Sequence, residues 1–133
     1  MKKLAVPYLD SIVENLSLLE EVKQQVTAKD VEVLNSQEPH QLPKALRAQM
    51  IYYISVIAEG ANNIIGTPNK EALAPGWFTL DETVICKRLI SLRNKMLHGY
   101  LSSADDRIFW AGINGADFQM FMDAISRLAQ QHL

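Results

Sequence analysis

The chain has 133 residues, 48% of them hydrophobic and 21% charged, with a net charge of −2. That is one domain able to bury roughly two-thirds of its unfolded surface without a metal or disulfide staple. The composition excludes a disordered chain, and the charge excludes a broad basic surface while leaving room for a small basic cleft. Cys86 is the sole cysteine, which excludes an internal disulfide, and no Cys/His spacing suits structural zinc.

Helical periodicity begins at once. Within 8–26, Leu9, Ile12, Val13, Leu16, Leu19 and Val22 form one stripe of an amphipathic helix. Thr27-Ala-Lys-Asp30 has the form of a cap and first turn, with Asp in place of Glu or Gln, and predicts a short helix over 29–34. Pro39 and Pro43 punctuate the next stretch, and either suits a first helical turn. Residues 44–65 read as a long helix. Leu46, Met50, Tyr53, Ile54, Ile57, Ala61 and Ile64 share one side, against a narrower polar arc of Ser55, Glu59, Asn62 and Asn63. So wide an apolar face belongs at the centre of a bundle.

Gly66-Thr-Pro68 ends that helix. The stretch to Phe78 reads as an ordered surface loop. Thr79-Leu-Asp-Glu82 is a capping box; it opens a helix from Asp81 to about Leu97, with Gly99 as a natural stop. Ser103-Ala-Asp-Asp106 has the form of a further cap, for a helix carrying Ile108, Phe109 and Trp110. Asn114-Gly115 marks a break. A last helix over 116–131 carries Phe118, Phe121, Met122, Ile125 and Leu128. Nothing alternates with a period of two. The prediction is an all-α, single-domain, up-and-down bundle of four to five helices. No segment has a signal-peptide core, and the longest nearly apolar run, Met50–Ala58, falls short of the ~20 residues of a membrane span. A soluble, cytoplasmic protein in a reducing compartment is expected.

No phosphate-binding glycine loop, zinc-protease helix or nucleophile elbow is present. The informative segment is Arg93-Asn-Lys-Met-Leu-His98-Gly-Tyr100. On a wheel of about 100° per residue, Ile85, Leu89, Leu92 and Met96 form one apolar stripe. Cys86, Ile90 and Leu97 form a second, and Arg93 lies between them. A guanidinium there needs a carboxylate, a phosphate or a wet cleft. Arg93 and His98 are about 140° apart on an ideal helix. They converge on one ligand only if the helix ends near His98 or if two copies of it meet. Taken singly, each residue has a structural explanation: an ion pair of Arg93 with Glu59, and a C-terminal cap by His98. The other histidines, His40 between prolines and His132 at a frayed end, do not look like sites. Cys86 reads as packing, and Lys87/Arg88 as a solvated face. Tyr52-Tyr53 and Phe109/Trp110 can stack bases, but aromatics in helical stripes are more often core.

Arg93-x4-His98-x-Tyr100, with polar Asn94 after the Arg, resembles the signature of the HEPN superfamily (higher eukaryotes and prokaryotes nucleotide-binding), and in particular its small HepT-like toxins. Ile57-Ala-Glu-Gly-Ala61 resembles the family's Ile-Gly-Glu-Ala segment, and Ile108-Phe-Trp110 its apolar-Trp step. Ala58, Gly60 and the long loop before the motif helix are departures. The resemblance implies a homodimer with the two motifs facing each other. It also implies metal-independent RNA cleavage, with no cofactor and no metal site. Arg93 would hold the phosphate, His98 would move protons, and Asn94 and Lys95 would support them. It further implies a toxin–antitoxin pair, in which a cognate nucleotidyltransferase antitoxin silences the toxin by adding AMP to Tyr100. The alternatives are a non-catalytic HEPN module that binds nucleotide or scaffolds a nucleotidyltransferase, and a helical interaction domain whose motif is coincidental.

Overall fold

The computed structural model describes residues 2–102 and 105–133, without the side chains of Lys2 and residues 99–102. A 3-10 turn at Lys2–Leu4 precedes α1 (Val6–Lys23), α2 (Ala28–Leu34), α3 (Lys44–Ile65), α4 (Leu80–Ser102), α5 (Arg107–Ile113) and α6 (Ala116–His132). Among the described residues there is no strand, only an isolated bridge between Thr67 and Lys70. The four long helices form the bundle, and α2 and α5 are two-turn additions. None of the described helices is long and apolar enough to cross a membrane.

Cross-helix contacts fix the directions. The late α3 residue Gly60 lies against Ile12 and Tyr8 near the start of α1. Early α3 and late α4 meet where Arg47 and Met96 line one cavity. Glu82 at the start of α4 pairs with Arg127 near the end of α6, and Lys23 at the end of α1 donates to the Ile113 carbonyl just before α6. Each neighbour is therefore antiparallel, giving up-and-down order. The core runs through the apolar stripes read from the sequence: Leu9, Ile12 and Leu19 of α1, Ile54, Ile57 and Ile64 of α3, Ile85 and Leu89 of α4, and Phe121 and Leu128 of α6 are all buried. Gly60 lets α1 and α3 approach closely. A Cβ there would come within 2.8 Å of the Ile12 side chain.

The predicted caps form. The Asp30 N–H donates to Thr27 Oγ1 at 3.1 Å. In the α4 capping box, the Glu82 N–H donates to Thr79 Oγ1 at 3.1 Å and the Thr79 N–H to Glu82 Oε1 at 2.9 Å. Three expectations need correction. Pro43 is the N-cap of α3 rather than a first-turn residue. The 66–79 segment is not purely surface: Ala74, Trp77 and Phe78 are buried, and the Leu73 and Ala74 N–H groups take the last-turn carbonyls of Asn63 and Ile64. This return starts at Gly66, whose φ of +79° suits glycine. His132 is not frayed either, because its ring stacks on Trp77 with centroids 4.3 Å apart.

Asp106 caps α5 by position but not with its side chain. Its carboxylate instead accepts from the Leu42 N–H at 2.8 Å and pairs with Arg47 Nε at 3.0 Å. Both residues are buried, at 1% and 5% exposure. Around them, the Asp106 N–H donates to the His40 carbonyl, the His40 N–H to Asp105, and Arg107 forks onto Asp105. His40 Nε2 also sits 2.7 Å from Asp30 Oδ1, so His40 is a structural tie between α2 and α5. Burial pushes the Asp106 carboxyl above the usual carboxylate range, opposed by the Leu42 N–H and the Arg47 charge. The hydrogen bond from His40 holds Asp30 below it.

Two stability outcomes rest on these contacts. Arg47→Met, which leaves Asp106 buried without this cation, should cost about 3–5 kcal/mol in urea unfolding. The double variant Arg47→Met/Asp106→Asn, which keeps an acceptor for Leu42, should recover a large part of that loss. A cost under about 1 kcal/mol for Arg47→Met would show that the pair does not hold α5 in place. The second outcome concerns Glu82, whose carboxyl Arg127 holds below its ordinary value. A lowered folded-state pKa stabilises the fold above the unfolded value of about 4.3, and the contribution disappears as pH falls through the folded value. Glu82→Gln should therefore be less stable at neutral pH and lose less stability between about pH 5 and pH 3 than the parent. Parallel curves for the two proteins would remove Glu82 from the acid response.

Candidate functional site

The motif lies on α4, which touches α3 on one side and α6 on the other. Ile85, Cys86, Leu89 and Met96 are buried, whereas Leu97, assigned by the wheel to a second apolar stripe, is exposed. The outward arc carries Lys87, Arg88, Ser91, Asn94, Lys95 and His98, all exposed. Arg88 Nη1 donates to Asp117 Oδ2 at 3.0 Å across the surface. Burial pushes the Cys86 thiol up to about 12, so it carries no thiolate at neutral pH.

Arg93 is set apart from these exposed cations. It is partly buried, and its Nε is enclosed with no hydrogen-bond partner among the described residues. It lines a cleft of about 360 Å³ with Tyr8 and Ser11 of α1 and Tyr52, Ser55 and Glu59 of α3. The ion pair with Glu59 does not form among the described residues; Glu59 Oε1 accepts instead from Asn63 Nδ2 at 3.2 Å. The cleft therefore contains a cation beside hydroxyl groups and a carboxylate engaged elsewhere. Of its lining, Ser55 and Glu59 were legible as the polar arc of α3. Tyr8 and Ser11 arrive from a distant helix, and no local spacing could have pointed to them.

The largest correction concerns the end of the helix. α4 does not stop near Leu97 or at Gly99 but continues through Ser102. A single glycine costs a helix interior about 1 kcal/mol relative to alanine, which does not end it when helix-compatible Tyr100 and Leu101 follow. Two consequences are geometric. Arg93 and His98 keep their separation of about 140° around one axis, so one protomer does not bring them together. Asn94 and His98 share the exposed face one turn apart, while Arg93 faces the cleft between α1 and α3. Tyr100 is not beyond the helix end. It stands seven residues after Arg93, at the same register two turns on, and about 200° around from His98. Its side chain, expected beside the imidazole, lies outside the described residues.

Phe109 and Trp110 are buried core residues. Tyr52 is exposed at the mouth of the Arg93 cleft and meets Tyr53 edge-on at 5.7 Å. Among the described residues, no group of three or more His, Cys, Asp or Glu side chains is placed to hold a metal ion.

The arrangement separates two groups on one helix, a half-buried guanidinium with an enclosed Nε on one side and an exposed imidazole on another. Comparison with known proteins gives no match: no family model, no curated protein and no solved structure is similar to this chain.

Proposed function

We propose that this protein is a HEPN-type, metal-independent endoribonuclease toxin that works as a homodimer and is restrained by a nucleotidyltransferase antitoxin. The observation that carries the reading is Arg93, whose enclosed Nε has no partner among the described residues and which opens onto a cleft it shares with Tyr8, Ser11, Tyr52, Ser55 and Glu59. It stands on the same uninterrupted helix as exposed His98. With the helix continuing past His98, this reading has two copies meet to bring a guanidinium and an imidazole to one phosphate. In that composite centre the RNA's 2′-oxygen attacks the adjacent phosphorus. The new 2′-O–P bond forms as the P–O5′ bond breaks. The proton leaves the 2′-hydroxyl and a proton is delivered to the 5′-oxygen, both within the range of an imidazole near neutral pH. The products carry a 2′,3′-cyclic phosphate and a 5′-hydroxyl. Arg93 offsets the charge that builds on the non-bridging oxygens. Asn94 and Lys95 share the face of His98 and support substrate there.

The purified protein should cleave single-stranded RNA in the presence of EDTA and leave cyclic phosphate ends. His98→Ala and Arg93→Ala should each lower turnover by about 10² or more. Light scattering at micromolar concentration should give twice the chain mass of 15.0 kDa. Equal cleavage by all three proteins would identify a contaminating nuclease, and a lone monomer peak would sink the composite centre.

Tyr100 is the proposed point of control. An adenylyl group on it adds a negative phosphate and a bulky nucleoside. The register that Tyr100 shares with Arg93, about 10 Å along the axis, lets that phosphate compete for the same guanidinium. The phenol is not needed for proton transfer, so Tyr100→Phe should remain active and escape silencing. Intact-mass and peptide mapping after incubation with ATP and a cognate nucleotidyltransferase decides the matter. AMP mapping to another residue, or modification that still silences Tyr100→Phe, would remove Tyr100 from this role.

A further inference from the structure

Away from the Arg93 cleft, α4 turns its basic edge toward α5 and α6. Between these three helices lies a cavity of about 250 Å³. Pockets that bury drug-sized ligands run from about 300 to 1,000 Å³, so this one has the scale of a single flat ring system. Its floor is apolar and includes the buried side chains of Phe118 and Phe121. Its rim carries Arg88, Ser91 and Lys95 from α4 and Asp117 from α6. Ile108 of α5 projects beside it, 72% exposed despite being a large apolar side chain. The Arg88–Asp117 pair at the mouth is hydrated on both sides, with side chains 62% and 51% exposed. Such a pair holds weakly and exchanges partners readily.

These groups match the parts of a nucleotide. The apolar lining, with half-buried Leu92 and exposed Ile108, can cover the faces of a base. The Asp117 carboxylate can accept from an exocyclic amine, and Arg88 and Lys95 flank the opening as phosphate contacts. From Thr83 to Ser102 the α4 sequence contains no Asp or Glu, although the whole chain is net negative. The positive charge is thus concentrated along the helix that carries the cavity rim. Ser91 precedes His98 by two turns, about 10 Å along the axis, so a strand lying on this face runs from one to the other. The neighbouring cavity, which shares Lys95 and Ile108, is lined by Asp105 and Asp106 and is the poorer host for phosphate.

We propose that the cavity between α4, α5 and α6 is a nucleotide subsite. It takes one unstacked base of single-stranded RNA, with the flanking phosphates on Arg88 and Lys95. This rests on the ribonuclease reading and extends it to a surface that the motif reaches only through Lys95.

The test uses a fluorescein-labelled eight-nucleotide single-stranded RNA and the full-length His98→Ala protein, so that binding is read without cleavage. Ile108→Glu in that background should weaken binding about tenfold, the scale of losing one large apolar contact. The melting curve should stay in place because Ile108 is exposed. Lys95→Ala should weaken binding and reduce the salt dependence by about one phosphate contact. Unchanged RNA affinity in Ile108→Glu overturns the subsite. The two readings fail separately. If the parent chain binds the RNA through Ile108 but never cuts it, the subsite stands and the ribonuclease reading falls. If cleavage and binding are indifferent to Ile108→Glu, the subsite falls and the ribonuclease reading stands.

Discussion

The buried pair of Arg47 and Asp106 governs how the small helices join the large ones. Arg47 lies in the first turn of α3, and Asp106 sits at the entrance to α5. Their 3.0 Å contact closes a chain separation of nearly sixty residues. Asp106 also holds the Leu42 N–H, so the segment entering α3 is fastened at the same point. Two buried charges are costly to desolvate, and such a pair adds little net stability over a hydrophobic replacement. It does select geometry, because a carboxylate buried at this depth tolerates few displacements that break its contacts. The position of α5 follows from that selection. α5 in turn supplies Ile108 to both cavities beside α4 and brings Gly112 so close to Leu92 that a Cβ would approach to 2.7 Å.

The second constraint is the continuity of α4. A helix that passes through Gly99 without a break keeps its residues at fixed angles, and those angles distribute the chemistry. Arg93 faces α1 and α3, the outward arc holds His98 with the exposed cations, and Tyr100 returns to the register of Arg93. In a single chain Arg93 is half-buried in the cleft and His98 is exposed. The proposal of a composite site made by two copies rests on this separation around the axis. An early helix end would have allowed a site closed within one protomer.

The stripes and caps were legible because they are local. Leu9 to Val22, Ile54 to Ile64 and the Thr79–Glu82 box carry their spacing in the chain itself, and the structure buries or bonds them accordingly. Arg47 was not legible. Its neighbours on the wheel, Leu46 and Met50, are apolar, and nothing nearby reveals that its counter-ion lies beyond the next long helix. The helix end was misread because glycine is a strong stop only when left-handed geometry is needed, as at Gly66. At Gly99 the helical bonds simply continue. The candidate residues were found by pattern. Their separation around the axis was also readable, but the cleft that receives Arg93 depends on α1 and α3 meeting in space.

Comparing the two partly or fully buried arginines separates architecture from function. Arg47 Nε is ion-paired with the Asp106 carboxylate at 3.0 Å, although the two atoms are not aligned as a hydrogen bond, and the Leu42 N–H holds the other carboxylate oxygen. Arg93 has an enclosed Nε with no acceptor among the described residues, and a nearby carboxylate that is bonded to Asn63 instead. Leaving a buried donor unsatisfied costs about 1–3 kcal/mol, and more when the group is charged. An apolar side chain at position 93 would remove that penalty and join the two stripes on either side of it. Packing alone does not account for a guanidinium whose Nε is enclosed at this position. This asymmetry between the two arginines does not depend on any motif.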